Sequence, residues 1–201
     1  GLFGVGLCSV SLTQAQEPTP VEKQDEEVFK TELVYKADFL SIDPADGKKK
    51  SVYLGNIDAK LTVDGGRAFQ WPGSTFFLYV LNNNGGRPNG VVRTAQGVDN
   101  IEVETATTKL YQAWYQQQFF GERASALLGL YDLNSEFYVN DASAPFIHPA
   151  FGIGSEFAQT GVNGPSIFPV TSFGARFRLD ITPQIYWLWA VLDGVPGDPD
   201  K

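Results

Sequence analysis

From residue 31 onward, apolar and polar positions alternate with a period of two, most cleanly over 53–63. Tyr53, Gly55, Ile57, Ala59, Leu61 and Val63 share one parity. Asn56, Asp58, Lys60 and Thr62 share the other, and only Leu54 breaks the pattern. Residues 172–180 repeat it, with Phe173, Ala175, Phe177 and Leu179 set against Ser172, Gly174, Arg176, Arg178 and Asp180. Successive side chains of a strand point to opposite faces, so each segment reads as a strand with one apolar and one hydrated face. Further strands are expected at 32–40, 75–82, 105–119, 124–134 and 184–193, and no stretch carries a convincing helical period. Most have about nine to eleven residues, the length a tilted strand needs to cross hydrocarbon.

Two kinds of connection join these segments. Short ones fall at Gly121-Glu122-Arg123 and Thr182-Pro183, with a medium one over 64–74, and long ones fall over 41–51, 83–104 and 135–171. Short turns at one end and long loops at the other are the layout of an all-β, transmembrane antiparallel barrel. The alternative is a secreted, lectin-like β-sandwich, which would bury its apolar face against a second sheet and has no reason to segregate its loops. Trp71, Phe119, Trp187 and Trp189 fall beside the short connections, where an interfacial aromatic girdle belongs. Lys109 is a misfit. It shares parity with Tyr111, Ala113 and Tyr115 on the side expected to meet lipid, so it either snorkels at the outer rim or a bulge intervenes.

Composition narrows the partners. The 201 residues can bury a sizeable core; 13% are aromatic, 19% are charged, and the formal net charge is −8. So acidic a chain cannot neutralise a phosphate backbone, which excludes nucleic acid, and so aromatic a chain is not disordered over most of its length. With no Met present, the chain is expected to begin inside a longer reading frame. Residues 1–12 are apolar and uncharged, as long as a signal-peptide core and too short to span a membrane, with cleavage expected after Ala15. Cys8 is the single cysteine, which excludes an intramolecular disulfide and a Cys-rich metal site, and the bulk of Leu7 argues against its lipidation. Residues 16–31 read as a periplasmic linker, Pro- and Glu-rich over 16–27. Seven crossings from the periplasm would leave 194–201 outside, against the even strand counts of single-chain bacterial barrels. Residues 32–201 are therefore expected to be the amino-terminal part of a larger barrel, forming an open curved sheet with two unpaired edges.

The second half carries the specific motifs: residues 129–137 (GLYDLNSEF), 151–157 (FGIGSEF) and 163–169 (NGPSIFP). With Asn56-Ile57-Asp58 after Tyr53-Leu54-Gly55, and with 75–79 (TFFLY), 110–115 (LYQAWY) and 193–199 (DGVPGDP), they resemble in colinear order the carbohydrate-selective porin family of the OprB type. The similarity runs over about 36–199. It implies a sixteen-stranded outer-membrane barrel, of which about seven strands lie here, admitting monosaccharides such as glucose by passive diffusion. It also implies small sugars and outer-membrane lipid as partners and no cofactor; monomer and homo-oligomer both remain open. Family members often carry an acidic residue in the LYxAWY segment. Gln112 stands there in this chain and removes that charge.

A sugar pore must exchange hydration for wall contacts without binding tightly, which calls for amide, carboxylate and guanidinium groups beside aromatic faces. The polar parity offers Asn56, Asp58 and Lys60 from one strand, Gln112, Trp114 and Gln116 from another, Asp132 near the end of a third, and Arg176 and Arg178 from a fourth. The two arginines, about 7 Å apart along one strand, belong beside water or acidic partners. Loop 135–171 is too long for a plain turn and is the candidate constriction loop, with Glu136, Glu156, Gln159 and Asn163 as its candidate lining. No enzyme is expected. Asp132 and Glu136 are about 13 Å apart if extended, too far for a carboxylate pair unless Ser135 begins a bend. Glu102 and Glu104 need no catalytic explanation, and His148, the lone histidine, can build no His-based metal site.

Overall fold

The computed structural model describes residues 27–43 and 47–197. The expected signal peptide, Cys8 and most of the linker lie outside the described residues. Seven strands form one antiparallel sheet in chain order. They are β1 (Phe29–Ile42), β2 (Lys50–Asp64), β3 (Ser74–Gly85), β4 (Thr107–Phe119), β5 (Ala124–Tyr131), β6 (Ser172–Thr182) and β7 (Ile185–Leu192). β1 and β7 are not paired with each other, so the sheet is open as expected. The helices are single turns, among them α1 (Gly65–Phe69), whose first turn is capped by the Asp64 carboxylate accepting from the Arg67 N–H at 3.1 Å.

The registers align like with like. Leu33 faces Ala59 and Tyr35 faces Ile57 across β1–β2, and Leu61 faces Leu78 across β2–β3. The apolar parity thus forms one continuous outer surface, left bare: Leu33 is 76% exposed, Phe39 69%, Phe173 61% and Trp187 57%. Among the described residues no second sheet covers it, since all seven strands belong to one sheet, and this stands against the sandwich alternative. Trp71 lies in the β2–β3 turn with its ring 5.4 Å from that of Tyr115, beside the short connections as expected of a girdle.

Two boundaries depart from expectation for local reasons. β5 stops at Tyr131 because the Asp132 carboxylate accepts from the Asn134 N–H at 2.9 Å and opens a 3-10 turn over Leu133–Ser135. In β4 the register against β3 slips by one residue: Tyr79 faces Gln112 but Val80 faces Leu110, leaving Tyr111 as the extra residue of a bulge. The bulge corrects the parity that placed Lys109 and Tyr111 on the lipid side. Lys109 faces Leu81 and donates to the Pro169 carbonyl at 2.9 Å, while Tyr111 is buried.

Two apolar clusters hold the long loops against the sheet. Leu40, Leu54 and Ile101, joined by Val98 and Ile147, pack where the loops over 86–106 and 132–171 meet β1 and β2. Leu127, Tyr131 and Leu133 pack with Trp114, Phe137, Ile167, Ala190 and Leu192 beneath the 132–171 loop. Leu127 is therefore apolar yet on the polar face, because the loop keeps water from it.

Candidate functional site: the polar face and the loop across it

On β1–β3 the register places Asn56 opposite Asn83 and Lys60 opposite Tyr79. Asn83 Nδ2 donates to Asn56 Oδ1 at 2.7 Å, and Asn56 Nδ2 donates to Asp58 Oδ1 at 2.5 Å. The Tyr79 hydroxyl donates to the same carboxylate oxygen at 2.7 Å, and Lys36 Nζ lies 3.2 Å from Asp58 Oδ2. A buried carboxylate is stable only when paired in this way, and Asp58 is 3% exposed. Lys60 bonds Glu32 at 2.7 Å and sits 5.4 Å from the centre of the Tyr79 ring.

On β4–β6 the centre is Arg176, 4% exposed, with its donors spread over three partners. Nε donates to Glu136 Oε2 at 2.7 Å, one terminal nitrogen to Ser125 Oγ at 2.6 Å, and the other to Gln116 Oε1 at 2.7 Å. The Tyr131 hydroxyl donates to the same Glu136 oxygen at 2.5 Å. Arg178 instead pairs with Asp180 on its own strand at 2.8 Å and lies 4.5 Å from the Tyr186 ring centre. Gln112 Oε1 accepts from the Trp114 indole at 3.1 Å, and Asp132 Oδ2 accepts from the Tyr111 hydroxyl at 2.8 Å. Trp114 stacks on Phe77 at 4.7 Å, and Tyr79 meets Tyr111 edge-on at 5.0 Å.

The 132–171 loop is anchored at both ends. Ser166, fully buried, donates from Oγ to the Tyr131 carbonyl at 2.6 Å and accepts from the Ser172 N–H at 2.7 Å. Of the four candidate loop residues, Glu136 is the one brought onto the strand wall. Glu156 is exposed and accepts from the Tyr138 hydroxyl at 2.8 Å. Gln159 is exposed, and Asn163 donates to the Pro196 carbonyl at 3.1 Å beyond β7. The bend at Ser135 does form, but Asp132 is engaged by Tyr111 and Glu136 by Arg176, so the two carboxylates do not share a site. At the junction of the two long loops, the Asn100 N–H donates to the Ile147 carbonyl at 2.7 Å, beside a buried Asp99.

Lys36, Tyr79, Asn83, Tyr111, Ser125 and Tyr131 complete these networks and are absent from the sequence-based set. The signal that could have found them is cross-strand register: each lies opposite or diagonal to a polar-face residue once the strands are aligned.

A single antiparallel meander, bare and apolar on one side and hydrogen-bonded and charged on the other, with a long loop seated on the charged side, defines the wall of a porin-type transmembrane β-barrel. The family model of the carbohydrate-selective porin, OprB family, matches residues 48–201, and the chain belongs to that family. It is similar in fold to a high-pH structure of Pseudomonas putida OprB, with a TM-score of 0.70 and 19% sequence identity, over 83% of this chain. The chain spans 41% of the length of that structure. Comparison with curated proteins finds no match.

Proposed function

We propose that this chain forms part of the wall of an outer-membrane channel through which small neutral carbohydrates, including monosaccharides such as glucose, cross by passive diffusion. The observation that carries the reading is the separation of faces: an apolar surface suited to lipid backs a polar surface of carboxylate, amide and guanidinium groups. Sugars present hydroxyls at their edges and C–H patches on their faces, so a wall that mixes Asn56, Asp58 and Arg176 with Tyr79 and Trp114 offers both kinds of contact. Nearly all the charged groups on this wall are already paired, which favours transient over tight contacts with a neutral solute.

The 135–171 segment acts in this reading as a constriction loop, and Glu136, through its bond to Arg176, is the residue that ties it to the wall. Export follows from a cleaved signal peptide over 1–15, and outer-membrane lipid covers the apolar face. The protein is a channel and not an enzyme. Liposome swelling with the complete protein tests this: glucose should drive faster swelling than charged solutes of similar size, and no swelling with any sugar would overturn it.

A further inference from the structure

Lys48, Lys49 and Lys50, where the β1–β2 connection enters β2, are the sequence's run of three consecutive cations, in a chain of net charge −8. All three are exposed, and none has an ion-pair partner among the described residues. The cations of the polar face differ: Lys36 lies 3.2 Å from Asp58, Lys60 bonds Glu32 at 2.7 Å, and Arg176 bonds Glu136 at 2.7 Å. Asp43 and Asp46 precede the run in the same connection, and the lysines outnumber them.

The strands on either side fix the depth of this run. On β1 the bare apolar parity extends from Phe29 to Phe39, both exposed. Ten residue steps at about 3.3 Å each are roughly 33 Å of strand. A tilt of about 40° reduces this to roughly 25 Å, the height of the apolar band of a transmembrane barrel. Phe39 faces Tyr53, with their rings 5.1 Å apart, and closes the band at the long-loop end. Lys50 faces Ile42, three positions farther on, which is about 10 Å of strand. The run therefore begins where hydrocarbon gives way to headgroups. A lysine costs little there, because its stem lies along apolar surface while its ammonium reaches outward. At that depth the anionic partner is lipid phosphate, and three ammonium groups on about 7 Å of chain match a headgroup that carries more than one.

We propose that Lys48, Lys49 and Lys50 form a binding site for the phosphate groups of an anionic glycolipid headgroup in the outer leaflet, with the Phe39 and Tyr53 rings against the first carbons of its chains. The proposal rests on the outer-membrane reading and deepens it, from general lipid cover of the apolar face to one headgroup chemistry at one place on the rim.

Native mass spectrometry of the complete protein, in neutral detergent micelles doped with a bis-phosphorylated glycolipid, tests the site. Retained lipid should saturate as its mole fraction in the micelle rises. Lys48→Gln, Lys49→Gln and Lys50→Gln should each raise the half-saturating fraction about fivefold, the change that about 1 kcal/mol per lysine gives. Arg123→Gln, on the exposed short turn at the opposite end, should leave it unchanged. The dephosphorylated glycolipid should not be retained, and inorganic phosphate should not displace the phosphorylated form. Unchanged retention in the lysine variants, an equal loss in Arg123→Gln, equal retention of the dephosphorylated lipid, or displacement by inorganic phosphate would each overturn the site. Glucose-driven liposome swelling by the triple variant K48Q/K49Q/K50Q should match that of the unchanged protein, so failure of the site is read apart from failure of the channel. A protein that neither drives swelling nor retains the glycolipid overturns both.

Discussion

Arg176 and Glu136, forty positions apart in the chain, meet at 2.7 Å between Nε and Oε2. The bond joins a buried residue of β6 to the first turn of the β5–β6 loop, and Ser125 and Gln116 take the remaining guanidinium donors. One cation therefore sets where the loop leaves the wall.

Removing that cation should be costly. Arg176→Ala leaves Glu136, at 25% side-chain exposure, without its counter-charge, and breaking a buried pair costs about 3–5 kcal/mol. Arg178→Ala should cost less than about 1 kcal/mol, because its pair with Asp180 is more than a third exposed on both sides. Urea unfolding of the two variants in detergent micelles checks the order, and equal midpoints would contradict it.

If the 135–171 loop narrows the channel, shortening it should widen the passage. The anchors at Glu136 and Ser166 flank residues 142–161, so deletion of that stretch keeps both of them while removing the Ile147 contacts with Leu40, Leu54, Ile101 and Asn100. Single-channel conductance of the deleted protein should rise, and an unchanged conductance would remove the constriction role.

Gly129 should accept no side chain. Its φ is +144°, and a Cβ there would lie 2.3 Å from the Ala113 carbonyl oxygen and 2.6 Å from the Trp114 Cα. Backbone of this kind excludes other residues, and a clash with main chain cannot relax as a flexible side chain would. Gly129→Ala should cost more than about 3 kcal/mol and abolish the folded band seen when unheated barrel protein is run in detergent gels. Gly194→Ala, with nothing within 4 Å of its Cβ, should leave that band unchanged.

The strands were legible because most of them bury nothing on one side: a bare face must be apolar at every second residue, and 53–63 and 172–180 keep that rule. The polar contribution of β3 was hidden because Thr75-Phe76-Phe77-Leu78-Tyr79 is largely apolar at both parities, so only its register against Lys60 and its bond to Asp58 show that Tyr79 points inward. Lys109 misled for a different reason. A bulge adds one residue without marking the sequence, and every parity argument past Tyr111 inverts. Of the loop residues, Glu136 reached the wall because it follows the Asp132 turn directly, whereas the places of Glu156, Gln159 and Asn163 depend on packing within the loop that no short-range pattern encodes.

Asp99 makes the junction of the two long loops sensitive to pH. The residue is 2% exposed, Oδ1 accepts from the Ile101 N–H at 2.9 Å, and Oδ2 has no partner among the described residues. Burial pushes the carboxyl up from 3.8 to about 6, helped by the negative charges of Asp38 and Glu102 and opposed by the Ile101 N–H. The docked loop thus retains a proton that an undocked loop releases. Docking is strongest below about pH 4, weakens as pH rises to about 6, and is constant above that. Hydrogen exchange at the Asn100 amide, corrected for intrinsic rates, should be slower at pH 5 than at pH 7.5, and Asp99→Asn should abolish the difference.

The assignment of one face to hydrocarbon and the other to water is tested most directly by single cysteines placed along β1 and β2 of the complete mature protein, with any native cysteine replaced by serine and the protein reconstituted in vesicles. A membrane-impermeant maleimide should label cysteine at Glu32, Lys60 and Thr62, and leave cysteine at Leu33, Ala59 and Leu61 unmodified. Labelling of both sets at equal rates, or of the second set alone, would contradict it.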